Sequence, residues 1–165
     1  MISKVVPIKL LPKLKPVLMD LIDVDFDKLD VFYVGNNNSY VSYNVGQILR
    51  DKIKACFPGW FFDEFPIGIT IQKIQTGFSG YVHKDPRKYA LNYLLKLGGG
   101  HVTTHVFDIT TNDYKTKCID LYLWHLLKVS QNHYVDNMTS PRISISLTFF
   151  MMPTKKQMDW MLSNI

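Results

Sequence analysis

Apolar and polar residues alternate with a period of two through much of the second half of the chain, and take a helical period only nearer its ends. Ile67 to Ile74 is β-branched and alternating, and predicts a strand. Tyr89 to Leu97 predicts another, stopped by Gly98-Gly99-Gly100. His101 to Phe107 and Cys118 to Val129 follow as strands, with Thr110 to Asp113 as a turn between them, and Arg142 to Met151 is the last strand. Gly77-Phe78-Ser79-Gly80 predicts a turn. Earlier, Gly35-Asn36-Asn37-Asn38-Ser39 separates Val31–Val34 from Tyr40–Tyr43, the pattern of a hairpin. Val45 to Phe57 carries Val45, Ile48, Leu49, Ile53 and Cys56 at near-helical spacing and ends at Pro58-Gly59, so a helix is expected there. Ile8 to Ile22 has a similar rhythm but is broken by Pro12 and Pro16, which favours short helical pieces or an extended arm. Asp23 to Asp30 is acidic and turn-like. Pro153-Thr154 opens a C-terminal helix, with Thr154 and Gln157 spaced as a capping box.

Strands in the middle and helices at the ends, with no convincing helix between residues 67 and 151, exclude a parallel βαβ fold. The expected class is mainly β with flanking helices, its core an antiparallel sandwich or small barrel. At 165 residues the chain suits one domain with a real core. Within it, residues 1–66 form a helical and hairpin buttress, 67–152 the β core and 153–165 the terminal helix. Apolar residues make up 47% and charged residues 20%, which excludes disorder. No apolar run is long enough for a membrane helix or a secretory signal, and Cys56 and Cys118 have no pairing pattern. A cytoplasmic protein with reduced thiols is expected. The net charge of +5 is spread thinly rather than gathered in basic blocks, so a solvated surface is favoured over a nucleic-acid groove. Nothing in the sequence fixes the oligomeric state.

Against this background the chemistry gathers in a few residues. His83-Lys84-Asp85 places His83 and Asp85 on one face of an extended segment, with Lys84 turned away and Pro86 holding Asp85 extended. Two imidazoles and a carboxylate can occupy three corners of an octahedron and leave three open, which suits non-haem Fe(II). His133 is the expected third ligand, and His125 the alternative. His125 follows Trp124 in an apolar run, where a packed core histidine is the plainer account. His101 and His105 lie in a β-favouring run and are four residues apart, roughly 13 Å along a strand, too far to share an ion. They are ordinary sheet residues on this reading. Arg142 and Ser144 open the last strand on a common face and offer a two-point grip plus a hydroxyl to a carboxylate. Trp60, Phe61, Phe62 and Phe65 could line a site, although core packing is their commoner use.

These residues together resemble the Fe(II)- and 2-oxoglutarate-dependent oxygenases, with their His-x-Asp…His triad and later Arg-x-Ser. The similarity runs from Gln75 through Phe150. His83-Lys84-Asp85-Pro86-Arg87 and Ala90-Leu91-Asn92-Tyr93-Leu94-Leu95 resemble the metal strand and the next strand of small hydroxylases of this family. Gly98-Gly99-Gly100 resembles the glycine turn of its prolyl and aspartyl/asparaginyl hydroxylase branches. His133-Tyr134-Val135-Asp136-Asn137 resembles the distal-histidine segment, and Arg142-Ile143-Ser144-Ile145-Ser146 the strand that grips 2-oxoglutarate. The resemblance implies a double-stranded β-helix, or jelly-roll, core. It implies Fe(II) on His83, Asp85 and His133, and the far carboxylate of 2-oxoglutarate on Arg142 with help from Ser144. Asn92 or its neighbour Tyr93 would face the co-substrate. The implied reaction consumes O2, releases succinate and CO2, and hydroxylates a C–H bond of a peptidyl side chain or small molecule. The step from His133 to Arg142 is short for the family, and residues 1–66 match none of its motifs. Two other readings stay open, a jelly-roll binding module without catalysis and a cupin-like metalloenzyme without 2-oxoglutarate.

Overall fold

The computed structural model describes residues 7–17, 25–64 and 66–165. Ten strands and two α-helices are present among them: β1 (Ile8–Leu10), β2 (Val31–Gly35), β3 (Tyr40–Asn44), α1 (Gln47–Lys54), β4 (Ile67–Ile74), β5 (Ala90–Lys96), β6 (Thr103–Asp108), β7 (Asp113–Lys117), β8 (Trp124–Leu127), β9 (His133–Asp136), β10 (Arg142–Phe149) and α2 (Lys155–Leu162). The strands form two antiparallel sheets, a seven-stranded one in the order β1-β8-β5-β10-β4-β3-β2 and a three-stranded one in the order β7-β6-β9. The protein is a mainly β jelly roll with flanking helices. Neighbours such as β8 and β5, or β10 and β4, are far apart in sequence. Three strands of the large sheet precede residue 67, so the N-terminal segment helps build the sheet itself.

Alternation along β10 explains the layering. Ile143, Ile145, Leu147 and Phe149 point to one face of the large sheet, where they join Ile69, Ile71, Leu91, Tyr93, Trp124 and Leu126. This outer face is covered by α1, α2 and the 3-10 turn at Gly59–Phe62, through Ile53, Met158, Met161 and Phe61. Phe61 contacts Phe57, Phe149 and Trp160, so that aromatic group packs the core rather than a site; Phe65 lies outside the described residues. The inner face, towards the small sheet, holds a lesser apolar cluster that includes Ala90, Leu94, Val106, Leu127 and Val129. The remaining inner positions are polar and buried, among them Thr70, Gln72, Thr104, His125, Arg142, Ser144 and Ser146.

Several elements differ from the sequence expectation. The helix expected over Val45–Phe57 is confined to α1, because Gly46 stands at its N-cap and the chain turns from Ala55 into Phe57. Cys118–Val129 narrows to β8, because Tyr122 takes a left-handed φ of 59° that interrupts any strand. β7, rich in Lys and Thr, was not expected; its burial is low and its alternation polar. His101 lies in a turn before β6, not in the strand. Within the proline-broken arm Ile8–Ile22, residues 8–10 are extended and 12–14 turn, while 18–22 lie outside the described residues. The hairpin β2–β3 turns through Asn36, Asn37 and Asn38, all at positive φ, where asparagine is tolerated. Thr154 and Gln157 make both bonds of the capping box on α2. Cys56 and Cys118 are free thiols, the first buried and the second exposed. No helix among the described residues is long and apolar enough to cross a membrane.

Candidate metal centre and anion pocket

The segment 80–85 runs antiparallel beside β9. Gly80 N–H donates to the Val135 carbonyl at 2.8 Å and Asp85 N–H to that of Val129 at 2.9 Å. Between them His83 and His133 exchange both backbone bonds, at 3.1 and 2.9 Å. Directly opposed residues share a sheet face, so two histidines distant in sequence present their rings together, centroids 4.1 Å apart. Asp85 falls on the same side by alternation: His83, Asp85 and Arg87 are partly buried, while Lys84, Pro86 and Lys88 are exposed.

His83 Nε2 and His133 Nε2 each stand 3.8 Å from Asp85 Oδ1. One donor atom from each residue fits within 4.8 Å of the others. Adjacent donors of an octahedral ion lie about 3 Å apart, so a small inward movement closes the set on a cation. The orientation of both rings is fixed from behind. His83 Nδ1 meets the Tyr81 carbonyl at 3.0 Å, and His133 Nδ1 meets the Gln131 carbonyl at 2.8 Å. A carbonyl only accepts, so each Nδ1 carries the proton and each Nε2 keeps its lone pair for a metal. Burial, and then the neighbouring His83, hold the pKa of His133 below the ordinary histidine value, which favours the neutral, ligating form.

Arg142 sits in the same interior. It is 4% exposed, and burial lowers its pKa to about 10. Nη1 donates to the Leu97 carbonyl and Nη2 to Thr104 Oγ1, both at 3.1 Å. No carboxylate pairs with it among the described residues, and most of the guanidinium's five donors remain free. Thr104 lies two residues from Val106, which stands opposite His133 in the β6–β9 ladder. That offset is roughly 7 Å along a strand. The glycine turn sets the approach: Gly98 has φ +86°, and a Cβ there would meet Arg142 Cβ at 3.0 Å and the Ser140 carbonyl at 3.1 Å.

Asn92 pairs with Ser146 on one side and His125 on the other, all on the inner face, whereas Tyr93 faces the outer core against Trp124. Of the two, Asn92 is therefore the one that faces the interior. Its Oδ1 and Ser146 Oγ are buried without a hydrogen-bond partner among the described residues. Ser144 is buried on that face between Gln72 and Leu94. His125 is fully buried, as the core-packing expectation has it, on the inner face of the large sheet. It lines this polar interior, with burial first and then Arg142 depressing its pKa to about 3, and it stands outside the group formed by His83, Asp85 and His133. His105 is a sheet residue as expected, stacked on Tyr134 and bonded to Thr103 and Thr116.

Two contributors escaped the sequence reading. Arg87 donates from Nε to Asp85 Oδ2 at 2.8 Å and from Nη1 to Thr148 Oγ1 at 2.6 Å. It continues the 83, 85 alternation, which was the available signal. Tyr40 is half-buried, with its phenol beside Arg87 and Asp85, and desolvation of the phenol chiefly raises its pKa. Nothing in the hairpin sequence pointed to it.

No protein-family model matches the sequence, and no curated protein matches it. Solved structures do resemble the fold. A 2OG-Fe(II) oxygenase family oxidoreductase from Burkholderia pseudomallei aligns with a TM-score of 0.52 at 10% identity, over 74% of this chain and 73% of that one. HEPD of Streptomyces albus, with Fe(II) and 2-hydroxyethylphosphonate bound, aligns with a TM-score of 0.50 at 8% identity, over 84% of this chain but 28% of its own. An Fe(II)-HppE structure with the alternative substrate (S)-1-HPP gives a TM-score of 0.46 at 10% identity, over 74% of this chain and 57% of that one. The chain therefore spans less than two thirds of the length of the last two, and at these identities the first two similarities bear on the jelly-roll fold alone.

Proposed function

We propose that this protein is an Fe(II)- and 2-oxoglutarate-dependent oxygenase, a hydroxylase acting on a peptidyl side chain or a small molecule. The observation that carries the reading is a buried arginine with only neutral partners, in one interior with a three-donor His-Asp-His set. Burying a guanidinium without an anion is costly, so Arg142 fits a site built to receive one. The donor set fits Fe(II): two neutral imidazoles and one carboxylate leave three corners open and a net charge of +1. The orphaned Asn92 Oδ1 and Ser146 Oγ fit hydrogen-bond partners supplied by a polar guest.

On this reading His83, Asp85 and His133 hold Fe(II), Arg142 receives the far carboxylate of 2-oxoglutarate, and Ser144 and Asn92 orient it. Bound there, Fe(II) would supply the activation of O2, whose two oxygen atoms would go one to succinate, with loss of CO2 from 2-oxoglutarate, and one to a substrate C–H bond. The chain's own part is positioning. The Tyr81 and Gln131 carbonyls keep the imidazoles ring-on, and the sheet face around Arg142 excludes water. The free thiols suit a reducing, cytosolic compartment, and no nucleic-acid partner is required.

Anaerobic titration with Fe(II) and then 2-oxoglutarate tests the reading. The weak visible charge-transfer band of the chelate is expected for the unaltered protein and is expected to vanish in His83→Ala and Asp85→Ala. Arg142→Ala should still take up Fe(II) but need far more 2-oxoglutarate. Metal binding without the band would instead mark a cupin-like metalloenzyme. Binding of neither would mark a jelly-roll module without catalysis.

A further inference from the structure

The interior holds two arginines of opposite character. Arg142 has neutral acceptors and free donors. Arg87 is occupied: its Nε is on Asp85 Oδ2, its Nη1 is on Thr148 Oγ1, and the Tyr40 phenol lies against it. The charge of Arg87 is already met by the Asp85 carboxylate, so its place beside the triad asks for another account than an anionic guest.

We propose that Arg87 is a positioning residue that makes Asp85 a one-oxygen ligand and locks the metal-bearing segment onto β10. This rests on the metal reading given above. The geometry separates the two oxygens of the carboxylate. Oδ1 faces both histidine Nε2 atoms at 3.8 Å, while Oδ2 is taken by the guanidinium at 2.8 Å. A carboxylate left free can bind a divalent ion through either or both oxygens, and a second bound oxygen would fill one of the three open corners. Holding Oδ2 on a charged donor removes that option. The hold is itself anchored. Thr148 is on the inner face of β10, the strand that carries Arg142 and Ser144 on the same face, so Arg87 bridges from the triad to the anion-side strand. The tie spans 61 positions in sequence and joins the segment beside the small sheet to the large one. Arg87 thus sets both the number of open metal positions and the spacing between the metal and Arg142.

Cobalt(II) replaces iron in the test, because its visible spectrum reports coordination number without turnover. Full-length protein, Arg87→Ala, Arg87→Lys and Thr148→Val are titrated anaerobically with Co(II), and thermal unfolding of each is recorded in parallel. Removing an outer-shell partner of a metal ligand typically weakens metal binding about ten- to a hundredfold, and that loss is expected for Arg87→Ala together with a changed band intensity. Arg87→Lys keeps a charge near Oδ2 and should recover part of both. Thr148→Val leaves Arg87 in place but removes its anchor, and should move the spectrum in the same direction by less. A folded Arg87→Ala protein with unaltered Co(II) affinity and spectrum overturns the inference. Should Arg87→Ala not fold, unaltered spectra in both Arg87→Lys and Thr148→Val overturn it equally. Failure of the unaltered protein to bind Co(II) strikes the metal reading itself, a different result.

Discussion

A single side chain, Arg142, shows how burial and charge trade against each other. Unpaired among the described residues, its guanidinium costs folding energy in the metal-free, anion-free protein. Arg142→Met should therefore leave the thermal midpoint of that form unchanged or higher and, on the proposed function, abolish the stabilisation expected from 2-oxoglutarate in the presence of metal. Differential scanning of both proteins with and without the dicarboxylate checks the pair of outcomes; a lower midpoint with the anion response intact would contradict it. His125 has the matching titration. Its folded pKa of about 3 lies below its unfolded value, roughly 6.5. Between those values the unfolded chain binds a proton that the folded chain refuses, so stability rises with pH across the window and is lost as pH falls from 6.5 towards 3. Denaturant midpoints of the metal-free protein should fall from pH 7 to pH 4.5, and His125→Gln should flatten that slope. Much of this was legible residue by residue: the His-x-Asp spacing, the distant His133 and the Arg-x-Ser strand. The face on which His125 is buried was not, because one apolar run cannot tell an outer core from a lined interior. Both look like burial.

At the scale of elements, the same alternation that builds the strands divides structure from chemistry. On β10 the odd positions hold the outer core and the even positions face the site. Leu147→Ala should cost about 2–5 kcal/mol in stability by leaving a cavity, with metal affinity in the folded protein unchanged. Ser144→Ala on the opposite face should do the reverse, costing little stability and weakening 2-oxoglutarate binding. Denaturant titration and the charge-transfer band read the two effects separately. The sequence showed β4, β5 and β10 because their alternation is apolar on one side, and the β2–β3 hairpin because Gly35 to Ser39 marks its turn. It hid β7, whose exposed Lys and Thr residues lack that contrast, and it overran β8, because a single backbone angle at Tyr122 leaves no mark in a periodicity. The turn Gly98-Gly99 has its own consequence. Gly98→Ala would force an L side chain to φ +86° and press its Cβ on Arg142 and the Ser140 carbonyl, so it should lower both stability and anion affinity.

For the whole molecule, topology does what no local pattern could. The segment of His83 and Asp85 pairs with β9, β9 pairs with β6, and Arg87 crosses to β10 in the other sheet, so one ion would sit where both sheets are tied. Such a ligand binds the folded chain far better than the unfolded one, and its binding energy adds to folding energy. At a hundred times its dissociation constant a cation contributes about 2.7 kcal/mol. For a chain of this size that raises the thermal midpoint by roughly 5–10 °C. Mn(II) should give that shift alone. On the proposed function, 2-oxoglutarate should add to it only when Mn(II) is present, because its keto acid end would need the metal while Arg142 would hold the other end. His133→Ala should erase both increments together. If the dicarboxylate stabilises the metal-free protein as strongly as the loaded one, the two halves of the site act independently and the chelate geometry proposed for them is wrong.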